Sequence, residues 1–147
     1  MTYLVDTNIL LRLVNPADPQ YPAVVNALAQ ARQAGNSLYI TPQNLVEFRH
    51  VATRPTASNG FGWTAQQTAT VSSGLEVQFA FLPEIPLIFQ HWKSLVGLTL
   101  STGRTVHDAR LAAVALAYGI TQILTFNGSD FNRFAPFGVS PVDPATF

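Results

Sequence analysis

The sequence predicts an α/β fold in which a short parallel sheet is covered by helices on both faces. Two patterns predict it. Apolar runs of strand length alternate with longer stretches whose apolar residues recur at helical spacing. The boundaries between them fall at Pro, Gly and Asn clusters, which are local structure breakers. With 147 residues, no internal repeat, no low-complexity tract and no linker, one domain over residues 1–147 is expected.

The elements follow in order. Tyr3–Val5 reads as a short buried strand ending at Asp6, and a helix follows from Thr7 to about Leu13. Asn15-Pro16-Ala17-Asp18-Pro19 breaks the chain. A second helix starts near Pro22, carries Val24, Val25, Leu28, Ala29 and Ala31, and closes at Gly35. Leu38–Ile40 is a second strand. Thr41 can cap the helix that opens with Pro42 and carries Leu45, Phe48, Val51 and Ala52.

Pro55–Trp63 is a loop, and Thr64 caps a helix running to about Phe79. Phe79–Leu82 is a candidate short strand. Ile85–Leu100 reads as a helix whose apolar face includes Ile88, Trp92, Leu95 and Val96, ended by Gly103. Thr105 caps the next helix, which carries Leu111, Ala112, Ala115 and Leu116 and ends at Gly119. Gln122–Thr125 is a strand, Asn127-Gly128 a turn, and Val139–Val142 an edge strand because Pro141 lacks a donor for a second neighbour.

Composition narrows the chemistry. Cysteine is absent, which excludes disulfides, thiolate metal sites and a cysteine nucleophile. Eight basic residues balance eight acidic ones, and charged residues make up 11% of the chain against about 25% in a typical soluble domain. A surface so poor in charge suggests a partner covering part of it. Net neutrality argues against non-specific nucleic-acid affinity, which comes from phosphate neutralisation, but leaves room for a local RNA site. No signal peptide opens the chain and no apolar run is long enough to span a membrane, so a cytoplasmic protein is expected.

Four of the eight acidic residues stand in apolar surroundings or at element ends: Asp6, Glu47, Asp108 and Asp130. Asp6 lies at the carboxyl end of the first strand, where open α/β sheets bind ligands. The other three have ordinary alternatives. Asp108 can complete a capping box with Thr105, Glu47 can pair with Arg49, Arg54 or His50, and Asp130 can cap a helix over Phe131–Phe134. All four can also reach one end of a parallel sheet. Converging carboxylates raise one another's pKa, and a hard divalent cation relieves the repulsion.

Four stretches carry a family resemblance. Tyr3-Leu-Val-Asp-Thr-Asn-Ile-Leu-Leu-Arg12, Thr41-Pro-Gln-Asn-Leu-Val-Glu-Phe48, Val106-His-Asp-Ala-Arg-Leu-Ala-Ala113 and Thr125-Phe-Asn-Gly-Ser-Asp-Phe131 resemble, in order, the acidic motifs of the PIN domain, in particular the VapC-type toxins of bacterial toxin–antitoxin systems. The resemblance spans essentially the whole chain, and Ala52-Thr-Arg-Pro55 with Asn59-Gly60 resembles a subgroup of these proteins. It implies a PIN-like three-layer fold, a metal-dependent endoribonuclease using Mg²⁺ or Mn²⁺, a structured RNA substrate, a cognate antitoxin and a homodimer. It implies that Asp6, Glu47, Asp108 and Asp130 hold the metal. Thr7, Asn8, Thr125 and Asn127 would orient a carboxylate or a water beside them. Some PIN proteins have an acid where this chain has Asn127. Cleavage would be attack of metal-activated water on a phosphodiester, leaving a 5′-phosphate and a 3′-hydroxyl.

Arg49, Arg54, Arg104, Arg110 and Arg133 are the candidate phosphate contacts, because a guanidinium fork matches two phosphate oxygens. His107 projects about 100° round the helix from Asp108, and neither His50 nor His91 has ligand spacing. Phe61, Trp63 and Trp92 default to packing, with base stacking as the alternative. No glycine-rich turn follows the first strand, which excludes a dinucleotide fold and a P-loop NTPase. A phosphatase with a nucleophilic Asp6 would want a second acid at Asn8 and a lysine near the later motifs. The remaining rival is a catalytically inactive RNA- or protein-binding module on the same fold.

Overall fold

The computed structural model describes residues 1–147. Five parallel strands form one sheet in the order β3-β2-β1-β4-β5, with β1 at Thr2–Val5, β2 at Ser37–Ile40, β3 at Ala80–Phe81, β4 at Gln122–Leu124 and β5 at Ser140–Val142. The seven α-helices are α1 (Thr7–Leu13), α2 (Tyr21–Gln33), α3 (Pro42–Thr53), α4 (Ala65–Gln78), α5 (Pro86–Thr99), α6 (Thr105–Ala117) and α7 (Gly128–Phe131). The chain leaves β1 toward β2 and β3, then crosses back to β4 on the other side of β1. That reversal opens a crevice beyond the carboxyl end of β1, where Asp6 follows.

Strand side chains alternate between faces, so β1 feeds two cores. Leu4 and Ile123 pack with α5, α6 and α7 through Ile88, Leu95, Leu111 and Phe131. Tyr3, Val5, Leu38, Ile40 and Leu124 pack with α1 to α4 through Ile9, Leu28, Phe48 and Leu75. This is the predicted α/β architecture, a short parallel sheet between two helical layers. Pro141 sits in β5, which pairs with β4 alone, as its missing N–H requires.

The local predictions hold where the partners are close in sequence. Thr64 and Gln67 cap α4 reciprocally: Gln67 N donates to Thr64 Oγ1 (3.1 Å) and Thr64 N donates to Gln67 Oε1 (2.9 Å). Thr41 meets its prediction and Thr105 does not. Thr41 occupies the predicted N-cap position of α3 in a capping box with Asn44, whose Oδ1 accepts from Thr41 N (2.9 Å), and its hydroxyl also donates to the Leu82 carbonyl (3.2 Å). Thr105 is the first residue of α6, not its cap, and its hydroxyl bonds back to Thr102. The expected Thr105–Asp108 capping box therefore does not form. The α5 helix stops at Thr99, ahead of Gly103, because Leu100 turns into the left-handed region (φ 52°). Asp130 lies inside α7, whose N-cap is Asn127, and the expected helix over Phe131–Phe134 is a 3₁₀ segment over Asn132–Phe137.

Candidate active site

Asp6 continues the sheet ladder one residue beyond β1, its N–H donating to the Leu124 carbonyl (2.9 Å). The ladder fixes its backbone at the mouth of the crevice. Its carboxylate accepts from Thr7 N at Oδ1 (2.7 Å) and from Thr125 Oγ1 at Oδ2 (2.7 Å). Thr125 is fully buried and in turn accepts from Asn127 N (2.9 Å) and Asn8 Nδ2 (3.3 Å). Burial pushes the Asp6 carboxyl up from 3.8 to about 6, and the nearby Glu47 and Asp108 charges add to the rise. The two hydrogen bonds oppose it.

Glu47 projects from α3. Thr7 Oγ1 donates to its Oε2 (2.7 Å) and Gln43 Nε2 to its Oε1 (2.8 Å). None of the expected basic partners Arg49, Arg54 or His50 bonds it. Asn44, one residue after Gln43, donates to the Val5 carbonyl (2.9 Å) and to Thr7 Oγ1 (3.2 Å), which pins α3 to the end of β1. Asp108 reaches in from the first turn of α6. Its Oδ2 is buried without a hydrogen-bond partner. Burial and the Asp130 charge hold its carboxyl above the ordinary carboxylate range, with Arg104 opposing.

Asp6, Glu47 and Asp108 thus line one cleft of about 660 Å³, with Thr7, Asn8 and Asn127 beside them. Asp130 stands at its edge, close enough to raise Asp108, and pairs with Arg104 at 3.7 Å. No three carboxylate or imidazole groups are close enough to enclose an ion by themselves. The donors are nonetheless all hard oxygens. An unpartnered Asp108 oxygen and an Asp6 carboxyl held far from its ordinary pKa fit a hydrated divalent ion, which takes one or two carboxylates and keeps several waters.

The basic candidates divide. Arg54 and Arg104 line the cleft. Arg54 is locked by its own loop, Nη2 donating to the Asn59 carbonyl (3.1 Å), and its buried Nε has no partner. Arg133 Nε donates to the Asp130 backbone carbonyl (3.0 Å), and Arg49 is exposed outside the cleft. Arg110 is outside it too, with both Glu84 oxygens on its Nη2 (2.8 Å each). His50 and His107, set aside from the sequence, border the cleft. His50 stands three residues after Glu47, and Gln43 four before it, so helical spacing places both on the Glu47 face. Trp63 packs T-shaped against Phe48 (ring centroids 6.4 Å apart) and tilted against Phe61 (5.0 Å), and Trp92 Nε1 donates to the Val106 carbonyl (2.8 Å).

A three-layer parallel fold with acidic side chains at its switch point defines a class of small α/β proteins with an acidic cleft. Within that class, the PIN domain family profile matches residues 3–135, and the chain belongs to the PIN domain family. No curated protein sequence matches the chain. Solved structures share its fold. A chain of VapBC-1 from nontypeable Haemophilus influenzae is 18% identical with a TM-score of 0.72, covering 98% of each chain. A chain of DNA-bound VapBC from Salmonella typhimurium is 15% identical with a TM-score of 0.71, also covering 98% of each. VapC20 of Mycobacterium tuberculosis, described as a sarcin–ricin loop cleaving toxin, is 17% identical with a TM-score of 0.62, covering 90% of this chain and 94% of that one. The fold is thus that of VapC-type toxins. No helix is long and apolar enough to cross a membrane.

Proposed function

We propose that this chain is a divalent-metal-dependent endoribonuclease acting as the toxin of a toxin–antitoxin pair. One observation carries the reading: Asp6, Glu47 and Asp108, from three elements far apart in the chain, line one cleft, two of them held above the ordinary carboxylate range. Like charges gathered in a partly dry crevice oppose folding, so such an arrangement needs a compensating cation. Mg²⁺ or Mn²⁺ suits these oxygen donors. Bound there, such an ion supplies Lewis acidity toward water and phosphate oxygen.

The chain's own residues do the rest. Asp6, Glu47 and Asp108 hold the ion, with Asp130 at the rim. Thr125 and Thr7 donate hydrogen bonds to Asp6 Oδ2 and Glu47 Oε2, which fixes how each carboxylate faces the cleft. Asn8 and Asn127 bond to the Thr125 hydroxyl oxygen, and that oxygen's own proton is thereby aimed at Asp6. Arg104, exposed at the rim, and Arg54, which also lines the cleft, receive the RNA phosphates. VapC20 is described as a sarcin–ricin loop cleaving toxin, and another structure of this fold is described as a toxin–antitoxin complex, which favours a structured RNA substrate and an antitoxin partner here as well.

The test compares the wild type with Asp6→Asn on structured RNAs, with Mg²⁺, with Mn²⁺ and with EDTA. Cleavage that needs the metal and disappears in the variant supports the reading. RNA binding without cleavage under every metal condition would instead establish an inactive RNA-binding module. Toxicity on expression, relieved by a co-expressed small neighbour, tests the antitoxin.

A further inference from the structure

Gln43 is buried, and its amide is almost fully committed. Its Nε2 donates to Glu47 Oε1 (2.8 Å) and to the His107 backbone carbonyl (2.9 Å). Its Oε1 accepts from Arg110 Nη1 (3.0 Å). A guanidinium can only donate, so Arg110 forces the amide oxygen toward itself and the amide nitrogen toward Glu47. Arg110 is held in turn by Glu84, which accepts from Nη2 with both oxygens (2.8 Å each). Glu84 lies in the connection between β3 and α5, outside the cleft. A Glu84–Arg110–Gln43 relay therefore ends on a carboxylate of the acidic cleft.

The second donor of Gln43 matters as much as the first. His107 directly precedes Asp108 on α6, while Glu47 is on α3. One amide group thus grips the α6 backbone beside Asp108 and the Glu47 side chain together. The Arg110–Glu84 pair is partly exposed (34% and 43%), so it adds little stability as an ion pair. What it adds is direction, because Glu84 holds Nη2 while Gln43 Oε1 takes Nη1, and two tied nitrogens set the plane of the guanidinium.

We propose that Gln43, oriented by Arg110 and Glu84, is a positioning residue that sets the separation and facing of Glu47 and Asp108 for a divalent cation. This rests on the metal-dependent reading of the cleft. It assigns Arg110 to this relay instead of to a phosphate. It also accounts for how carboxylates from α3 and α6 can share an ion although no three ligands are preassembled: the relay holds two of them in register.

The experiment measures Mn²⁺ binding to the full-length protein by the electron paramagnetic resonance signal of free Mn²⁺. Gln43→Leu keeps the side chain's size and removes both donors, and should weaken Mn²⁺ binding by about tenfold or more. Arg110→Lys keeps the charge but loses the fork, and should shift affinity the same way by less. Arg110→Lys decides the matter if Gln43→Leu does not fold. In ¹⁵N spectra, the Gln43 side-chain amide should move on Mg²⁺ addition in the wild type, which a simple tie between α3 and α6 would not require. Folded variants that bind Mn²⁺ within about twofold of wild type, while Glu47→Gln loses it, overturn the relay alone. A wild type that binds no Mn²⁺ overturns the cleft reading and the relay with it.

Discussion

Replacing Asp6 by Asn should stabilise the metal-free protein at neutral pH, and should do so only there. The Asp6 carboxyl is buried and raised from 3.8 to about 6. That rise corresponds to about 3 kcal/mol of unfavourable charging at pH 7.5. Asn carries no charge and still accepts from Thr7 N, but its amide cannot accept the Thr125 proton. Losing that buried bond costs about 1 kcal/mol. The balance is a gain of about 2 kcal/mol, or about 4–8 °C in Tm for a chain of this length. Between pH 3.8 and about 6 the folded wild type binds the Asp6 proton more tightly than the unfolded chain. The stability contributed by the protonated group is therefore complete below pH 3.8 and is lost as pH rises through about 6. The advantage of Asp6→Asn should be largest above pH 6 and vanish toward pH 4. Urea unfolding of both proteins in EDTA at several pH values measures it. A stability difference that does not change with pH, or a variant less stable than wild type at pH 7.5, would refute the reasoning.

Adding Mg²⁺ should stabilise the wild type and not Asp6→Asn, by about 2.7 kcal/mol at a hundredfold excess over Kd, read as a rise in urea midpoint. Glu47→Gln and Asp108→Asn should each abolish metal-dependent RNA cleavage while leaving the circular dichroism spectrum unchanged; retention of cleavage by either would remove that residue from the site. Gly60→Ala should destabilise by about 3 kcal/mol, because its new Cβ would collide with the Arg54 carbonyl, and should loosen Arg54 in the cleft. Arg104→Ala should leave urea stability within about 0.5 kcal/mol, since its side chain is 82% exposed, yet weaken RNA binding in filter assays.

The sequence by itself determined the layers of this protein and the identity of its acidic residues. Strand-length apolar runs and helical periodicity are local properties, so β1, β2, β4 and most helices were legible within a residue or two. So were the Thr64 cap and the edge placement of Pro141, whose causes lie within a few residues. Asp6 stood out because it ends a strand, and Glu47 because it interrupts an apolar helix.

Only the tertiary structure decided what those carboxylates face. Glu47 is oriented by Thr7, 40 residues away, and Asp6 by Thr125, 119 residues away. Arg110 looked free to meet phosphate until Glu84 and Gln43 took its donors across 26 and 67 residues. Thr41 caps α3 as expected, but its hydroxyl also reaches the Leu82 carbonyl, 41 residues away. A hydroxyl, amide or guanidinium bonds whichever group the packed layers bring within about 3 Å, and sequence periodicity carries no information about that meeting.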